Sequence, residues 1–163
     1  MAELKYLAHY APALQAQVQQ LLDGGRINAY IAQKYPAAHQ VQTDRALYQY
    51  VADFKKKFLK NAQQVDKVMF DNRLDVVHRA LGTNTALSRI QGAKLVAARE
   101  IRVASLFKTA PADFLAMIVV HELAHLKERE HNKAFYQLCC HMLPDYHQLE
   151  FDLRVYLTGL AHE

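Results

Sequence analysis

The chain has 163 residues, 52% of them hydrophobic and 22% charged, with a formal net charge of +4 and a pI of about 9.0. These proportions suit one globular domain with a real core and exclude disordered and fibrous classes. The basic balance tolerates an acidic partner or a phosphorylated substrate without demanding either.

At the amino end, Glu3 and Lys5 interrupt the first turn, and no apolar run is long enough for a signal peptide or a membrane span. A cytoplasmic protein with no membrane partner is expected. Leu4, Leu7, Ala11, Leu14, Val18 and Leu21 recur at helical spacing up to Gly24 and Gly25, which predicts one helix over about the first twenty residues. A shorter pattern through Ile27, Tyr30 and Ile31 stops before Pro36. Thr43 is placed to cap a third helix carrying Leu47, Tyr50, Val51, Phe54 and Phe58. The densest basic run, Lys55, Lys56, Lys57 and Lys60, falls beside those phenylalanines, and a solvated helix face is the better reading of it than a nucleic-acid patch.

After Asn61 the character changes. Val65 to Phe70 and Leu74 to His78 are short β-rich or ambiguous runs, and Ala86 to Ile90 and Ala93 to Ala97 flank Gln91 and Gly92 as in a tight hairpin. Ile101 and Val103 alternate with Glu100 and Arg102, the pattern of a strand with one dry face. A small antiparallel or mixed sheet is expected, with Glu100 to Ser105 either an ordinary edge or a strand able to pair with extended peptide. From Pro111 the helical period returns, and Phe114, Leu115, Met117 to Val120, Leu123 and Leu126 make a segment apolar nearly all round, hence buried. Further helices are expected over about 133–142 and 145–160, punctuated by Pro144 and Asp145. The fold class is α+β in a single domain over 1–163: residues 1–61 mostly helical, 62–107 the sheet, 111–162 helices again. Cys139 and Cys140 are adjacent, poorly placed for a mutual disulfide, and read as small buried thiols. Nothing in the sequence specifies an oligomeric state.

The buried helix contains His121-Glu122-Leu123-Ala124-His125, an HExxH motif. Residues four apart share a helix face, so the two imidazoles can converge on one metal ion with Glu122 alongside. Zinc is the expected metal: imidazole suits it, an open coordination position admits water, and Glu122 is the candidate base. Three titratable groups on an apolar helix would be costly to bury without such a partner.

The third ligand is less directly specified. His131 gives HExxHxxxxxH, the metzincin spacing. On a continuous helix it would lie about 15 Å beyond His121, so the helix must break after about Leu126. Metzincins turn at a glycine; here Glu128 stands in that place, and Asn132, tolerant of left-handed backbone, is the candidate helper. Glu150 on the following helix is the competing ligand, with Asp145 and Asp152 as weaker forms of the same idea.

The segment from Val119 to Leu126, followed by His131-Asn132-Lys133-Ala134-Phe135-Tyr136 and Pro144-Asp145-Tyr146, resembles the YgjP-like family of zinc metallopeptidases, related to the WLM and SprT-like zincins. The likeness extends to Ala46-Leu47-Tyr48-Gln49-Tyr50 and Glu100-Ile101-Arg102-Val103-Ala104. It implies a compact zincin-like fold, with His121, His125 and His131 as zinc ligands and Glu122 as general base. One departure is that many relatives carry Trp-Gly-Ser-Cys ahead of the sheet, whereas Leu81 to Ile90 contains neither tryptophan nor cysteine.

Activated water beside Glu122 can attack a carbonyl or a phosphoryl centre. A charge-stabilising donor is sought on the last helix among Tyr146, His147, Arg154 and Tyr156, each of which packing or exposure could equally explain; Met142 is a weak candidate for a Met-turn. The resemblance and the motif put peptide first as substrate. Nucleotide is the alternative, since YgjP-like proteins are also described as nucleotide pyrophosphatases and Arg89, Lys94, Arg99 and Arg102 could hold a triphosphate. A zinc-stabilised binding module without catalysis is the third reading.

Overall fold

The computed structural model describes residues 4–73 and 100–162. A short 3-10 turn, Lys5–Leu7, precedes α1 (Pro12–Asp23), α2 (Ile27–Lys34) and α3 (Asp44–Phe58). Strands β1 (Lys67–Asp71) and β2 (Glu100–Ala104) follow, then a 3-10 turn, Ser105–Lys108, and α4 (Ala112–Ala124), α5 (Lys133–Met142) and α6 (Tyr146–Ala161). The α+β class holds.

The amino-terminal pattern is two pieces, not one helix. Pro12 has no N–H to donate and its ring would clash with a preceding helical carbonyl, so it opens α1 and cannot sit inside a continuous helix. Leu7, fully buried, still packs into the same core. Gly25 ends α1 at φ +64°, with Arg26 N donating to Leu21 O and Gly25 N to Leu22 O, a turn that favours a residue without a Cβ. The cap of α3 is the expected one: Thr43 Oγ1 accepts from Ala46 N at 3.1 Å.

Strands β1 and β2 run parallel, in register from Lys67 opposite Glu100 to Asp71 opposite Ala104. A parallel pair cannot be joined by a tight turn, and residues 72–99 separate the two strands in the chain. Both the predicted hairpin around Gln91 and Gly92 and the run from Leu74 to His78 lie outside the described residues. Lys56 and Lys60 are exposed and Lys55 half-buried, in keeping with a solvated face, and with Tyr48 they rim a cavity of about 330 Å³ floored by Val51 and Val68.

Helix α4 runs through the core, with every residue from Met117 to Ala124 buried. Helix α6 anchors the amino-terminal third against it. Asp152, wholly buried, accepts from Tyr30 Oη at 2.8 Å and from Tyr35 Oη, and Lys34 Nζ lies 2.9 Å from it. Arg154 Nη1 donates to Tyr6 O at 2.9 Å. At Gly159 a Cβ would stand 2.7 Å from Ile27 Cγ2, so α2 and α6 touch where that glycine leaves room. No helix among the described residues is long and apolar enough to cross a membrane.

Candidate metal centre

Three imidazoles meet at the carboxyl end of α4. His121 sits in the last turn and His125 caps it, with φ −66° and ψ −13°. The chain then tightens: Leu126 N donates to Leu123 O, and both Lys127 N and Glu128 N donate to Ala124 O, at 2.9 to 3.1 Å. Among the described residues no non-glycine has positive φ, so the break that glycine makes in metzincins is made here without left-handed backbone. Asn132 does not supply left-handed backbone. It is extended, at φ −96° and ψ −175°, and its side chain accepts from Phe135 N at 2.9 Å to cap α5. That cap fixes the direction of the residue just before it, His131.

The outcome is a cluster of facing nitrogens. His125 Nε2 lies 3.2 Å from His121 Nε2 and 3.1 Å from His131 Nε2. Ligand nitrogens bound at about 2.0–2.1 Å around a tetrahedral zinc ion would stand about 3.3–3.4 Å apart. His125 Nδ1 is 2.9 Å from Glu128 O, and a carbonyl only accepts, so the ring proton is on Nδ1 and Nε2 presents its lone pair to the other two rings. His121 Nδ1 lies 2.8 Å from the Tyr146 hydroxyl. The negative end of the α4 dipole adds attraction for a cation at this place. Among the described residues, His121, His125 and His131 form a group able to hold a metal ion, and neutral imidazoles in this arrangement suit zinc.

Around the cluster, Phe135 is fully buried with its ring centroid 4.5 to 5.0 Å from all three imidazoles, a rigid apolar wall against which they pack. His131 is exposed and His121 buried, so the site opens to solvent on the His131 side. Glu122, next to His121, is 8% exposed, a carboxylate withdrawn from bulk water but not sealed.

The other candidates have different occupations. Glu150 faces Arg154 at 3.5 Å. Asp152 is engaged with α2, and Asp145 is exposed at the start of α6. Of the candidate donors on α6, Tyr146 lies behind His121, Arg154 is buried against Tyr6, Tyr156 packs on Phe114 at 5.4 Å between centroids, and His147 is exposed beside Tyr136. Met142 is a core residue of α5. Arg102 is paired with Asp71 at 2.8 Å and Glu100 at 3.1 Å, which commits its guanidinium to protein carboxylates; Arg89, Lys94 and Arg99 lie outside the described residues. Sequence reasoning gave Phe135 no part in the metal site and considered Tyr146 only as a charge-stabilising donor, not as a partner of a histidine ring. Phe135 and Tyr146 stood in the family-like segments, but no spacing rule places a hydroxyl 25 positions downstream against His121.

The family described as YgjP-like, metallopeptidase domain, matches residues 26–156. A protein of Escherichia coli (strain K12) named UTP pyrophosphatase is 56% identical over 161 residues, covering 99% of this chain and 96% of that relative. No solved structure matches significantly. The chain belongs to the YgjP-like family.

Proposed function

We propose that this member of the YgjP-like family is a zinc-dependent hydrolase that cleaves nucleoside triphosphates, UTP among them, to the monophosphate and pyrophosphate. The observation that carries the hydrolase reading is the convergence of three imidazole Nε2 atoms beside Glu122. The substrate rests on the 56% identity, over nearly the whole of both chains, to a protein named UTP pyrophosphatase. That likeness puts nucleotide ahead of peptide, reversing the order suggested by the motif alone. Peptide hydrolysis is the second reading, favoured by the description of the matching family.

In this proposal His121, His125 and His131 would hold the metal at a site that opens to solvent on the His131 side. A bound zinc ion would supply charge neutralisation at the phosphate oxygens and a water made more acidic. Glu122 would accept the proton of the attacking water as the water oxygen bonds to the α-phosphorus. The bond from the α-phosphorus to the bridging oxygen breaks, and pyrophosphate leaves with the electron pair. Phe135 keeps the rings from rotating away, and the Glu128 carbonyl keeps His125 Nε2 unprotonated.

The test is turnover of a nucleoside triphosphate panel and a diverse peptide library, with Glu122→Gln as the blank. Glu122-dependent pyrophosphate release with intact peptides supports the proposal; Glu122-dependent peptide cleavage with inert nucleotides replaces it with the second reading. If neither is turned over and Glu122→Gln is silent in cells, a zinc-stabilised binding module is left.

A further inference from the structure

The cavity between α3, the segment that follows it and β1 has the composition of a binding site. Its floor is apolar, with Val51, Val65 and Val68 all buried. At its rim stand Lys55, Lys56 and Lys60, and with them Tyr48, 43% exposed and one of two large hydrophobic residues exposed among the described residues. No residue lining it belongs to the imidazole cluster. Its volume of about 330 Å³ lies at the small end of the range for ligand pockets, about 300–1,000 Å³. Such pockets are mostly apolar, with a few convergent polar groups.

Solubility and the helix dipole explain part of this pattern. Lys55 and Lys56 lie toward the carboxyl end of α3, where cations offset the negative end of the dipole. Neither effect requires Lys60, beyond the end of the helix, to line the same cavity, nor an aromatic ring to stand in water at its edge. The charges also lack internal partners. Among the described residues none of the three ammonium groups forms an ion pair with a carboxylate, whereas Lys34 and Arg102 are committed to Asp152, Asp71 and Glu100.

We propose that this cavity binds a small phosphorylated aromatic compound of the nucleoside monophosphate class, its ring against Tyr48 and the valine floor and its phosphate among Lys55, Lys56 and Lys60. Three point charges call for more than one negative charge, and a phosphate monoester carries about −1.5 to −2 near neutral pH. An aromatic ring exposed beside an apolar floor suits a flat ring, which gains both stacking and burial. The small volume matches one nucleoside and not a dinucleotide. The site needs neither the metal nor Glu122, so it stands or falls apart from the hydrolase reading.

The test is binding of adenosine 5′-monophosphate to the full chain as purified, followed by calorimetry and by amide NMR. Saturable binding should shift amides of α3 and β1 around Val51 and Val68. Adenosine, which lacks the phosphate, and pyrophosphate, which lacks the ring, should each bind at least about 10-fold more weakly. Tyr48→Ala, and Lys55→Gln combined with Lys56→Gln, should each weaken the monophosphate by about 10-fold. Ala52→Phe fills the cavity from its half-buried wall while keeping every lysine, and should abolish binding. Circular dichroism of the variants establishes that each is folded. Binding that persists unchanged in Ala52→Phe would show attraction to surface charge alone and overturn the proposal. Pyrophosphate bound as tightly as the monophosphate, shifts confined to residues 121–131, or no saturable binding at millimolar concentration would overturn it equally.

Discussion

His125 Nδ1 lies 2.9 Å from the carbonyl oxygen of Glu128, so the turn that ends α4 also orients one of the three rings. That turn contains no left-handed residue. Glu128 is therefore unstrained where metzincins place glycine, and Glu128→Gly should only loosen the unfolded chain. The expected loss is about 0.4–1 kcal/mol, seen as a fall of about 1–4 °C in the melting temperature of the metal-free protein. A rise on introducing glycine would mean that the backbone at 128 is strained.

His131 and Glu150 are distinguished by what each removal exposes. His131 is exposed, so His131→Ala should sharply weaken zinc binding and leave the metal-free melting temperature nearly unchanged. Glu150 is 8% exposed and faces Arg154, 3% exposed, so Glu150→Ala leaves a buried guanidinium without its carboxylate. That should cost on the order of 3 kcal/mol of stability with zinc affinity retained. Calorimetry of the metal-free proteins alongside chelator competition checks both. Strong metal loss in the glutamate variant alone would make Glu150 the third ligand.

Asp152 predicts a pH dependence. Burial by itself raises its carboxyl, but hydrogen bonds from Tyr35, Gln148, Lys34 and Tyr30 outweigh that and hold it below the usual range. A folded value below the unfolded one, about 3.9, contributes stability that is full above that value and lost as pH falls through the folded value. Asp152→Asn should cost about 1–3 kcal/mol at pH 7, and the gap to wild type should narrow by pH 3. Urea unfolding at the two pH values measures it. An equal gap at both would show that the charge of Asp152 contributes nothing.

The HExxH helix was legible because two signals coincide there. An all-round apolar period marks a buried helix, and His121 and His125 four apart mark one face of it. The break after α4 was legible as a necessity, since His131 cannot reach back along a continuous helix, but not in its form: no left-handed residue replaces the glycine, and Asn132 acts as a cap. The parallel pairing of β1 with β2 was hidden because alternation specifies faces and not partners. At Pro12 the apolar period outvoted a residue whose missing N–H decides the matter. Tyr146 behind His121 and Asp152 beneath α2 are tertiary contacts, set by helix packing across more than twenty and more than a hundred positions respectively, and no local pattern encodes them.

The central claim is that His121, His125 and His131 together hold one zinc ion. Its most direct test is elemental analysis of protein purified without a metal-binding tag. The account predicts about one zinc per wild-type chain, and severe loss when His121, His125 or His131 becomes alanine. Metal content unchanged in all three variants would contradict it.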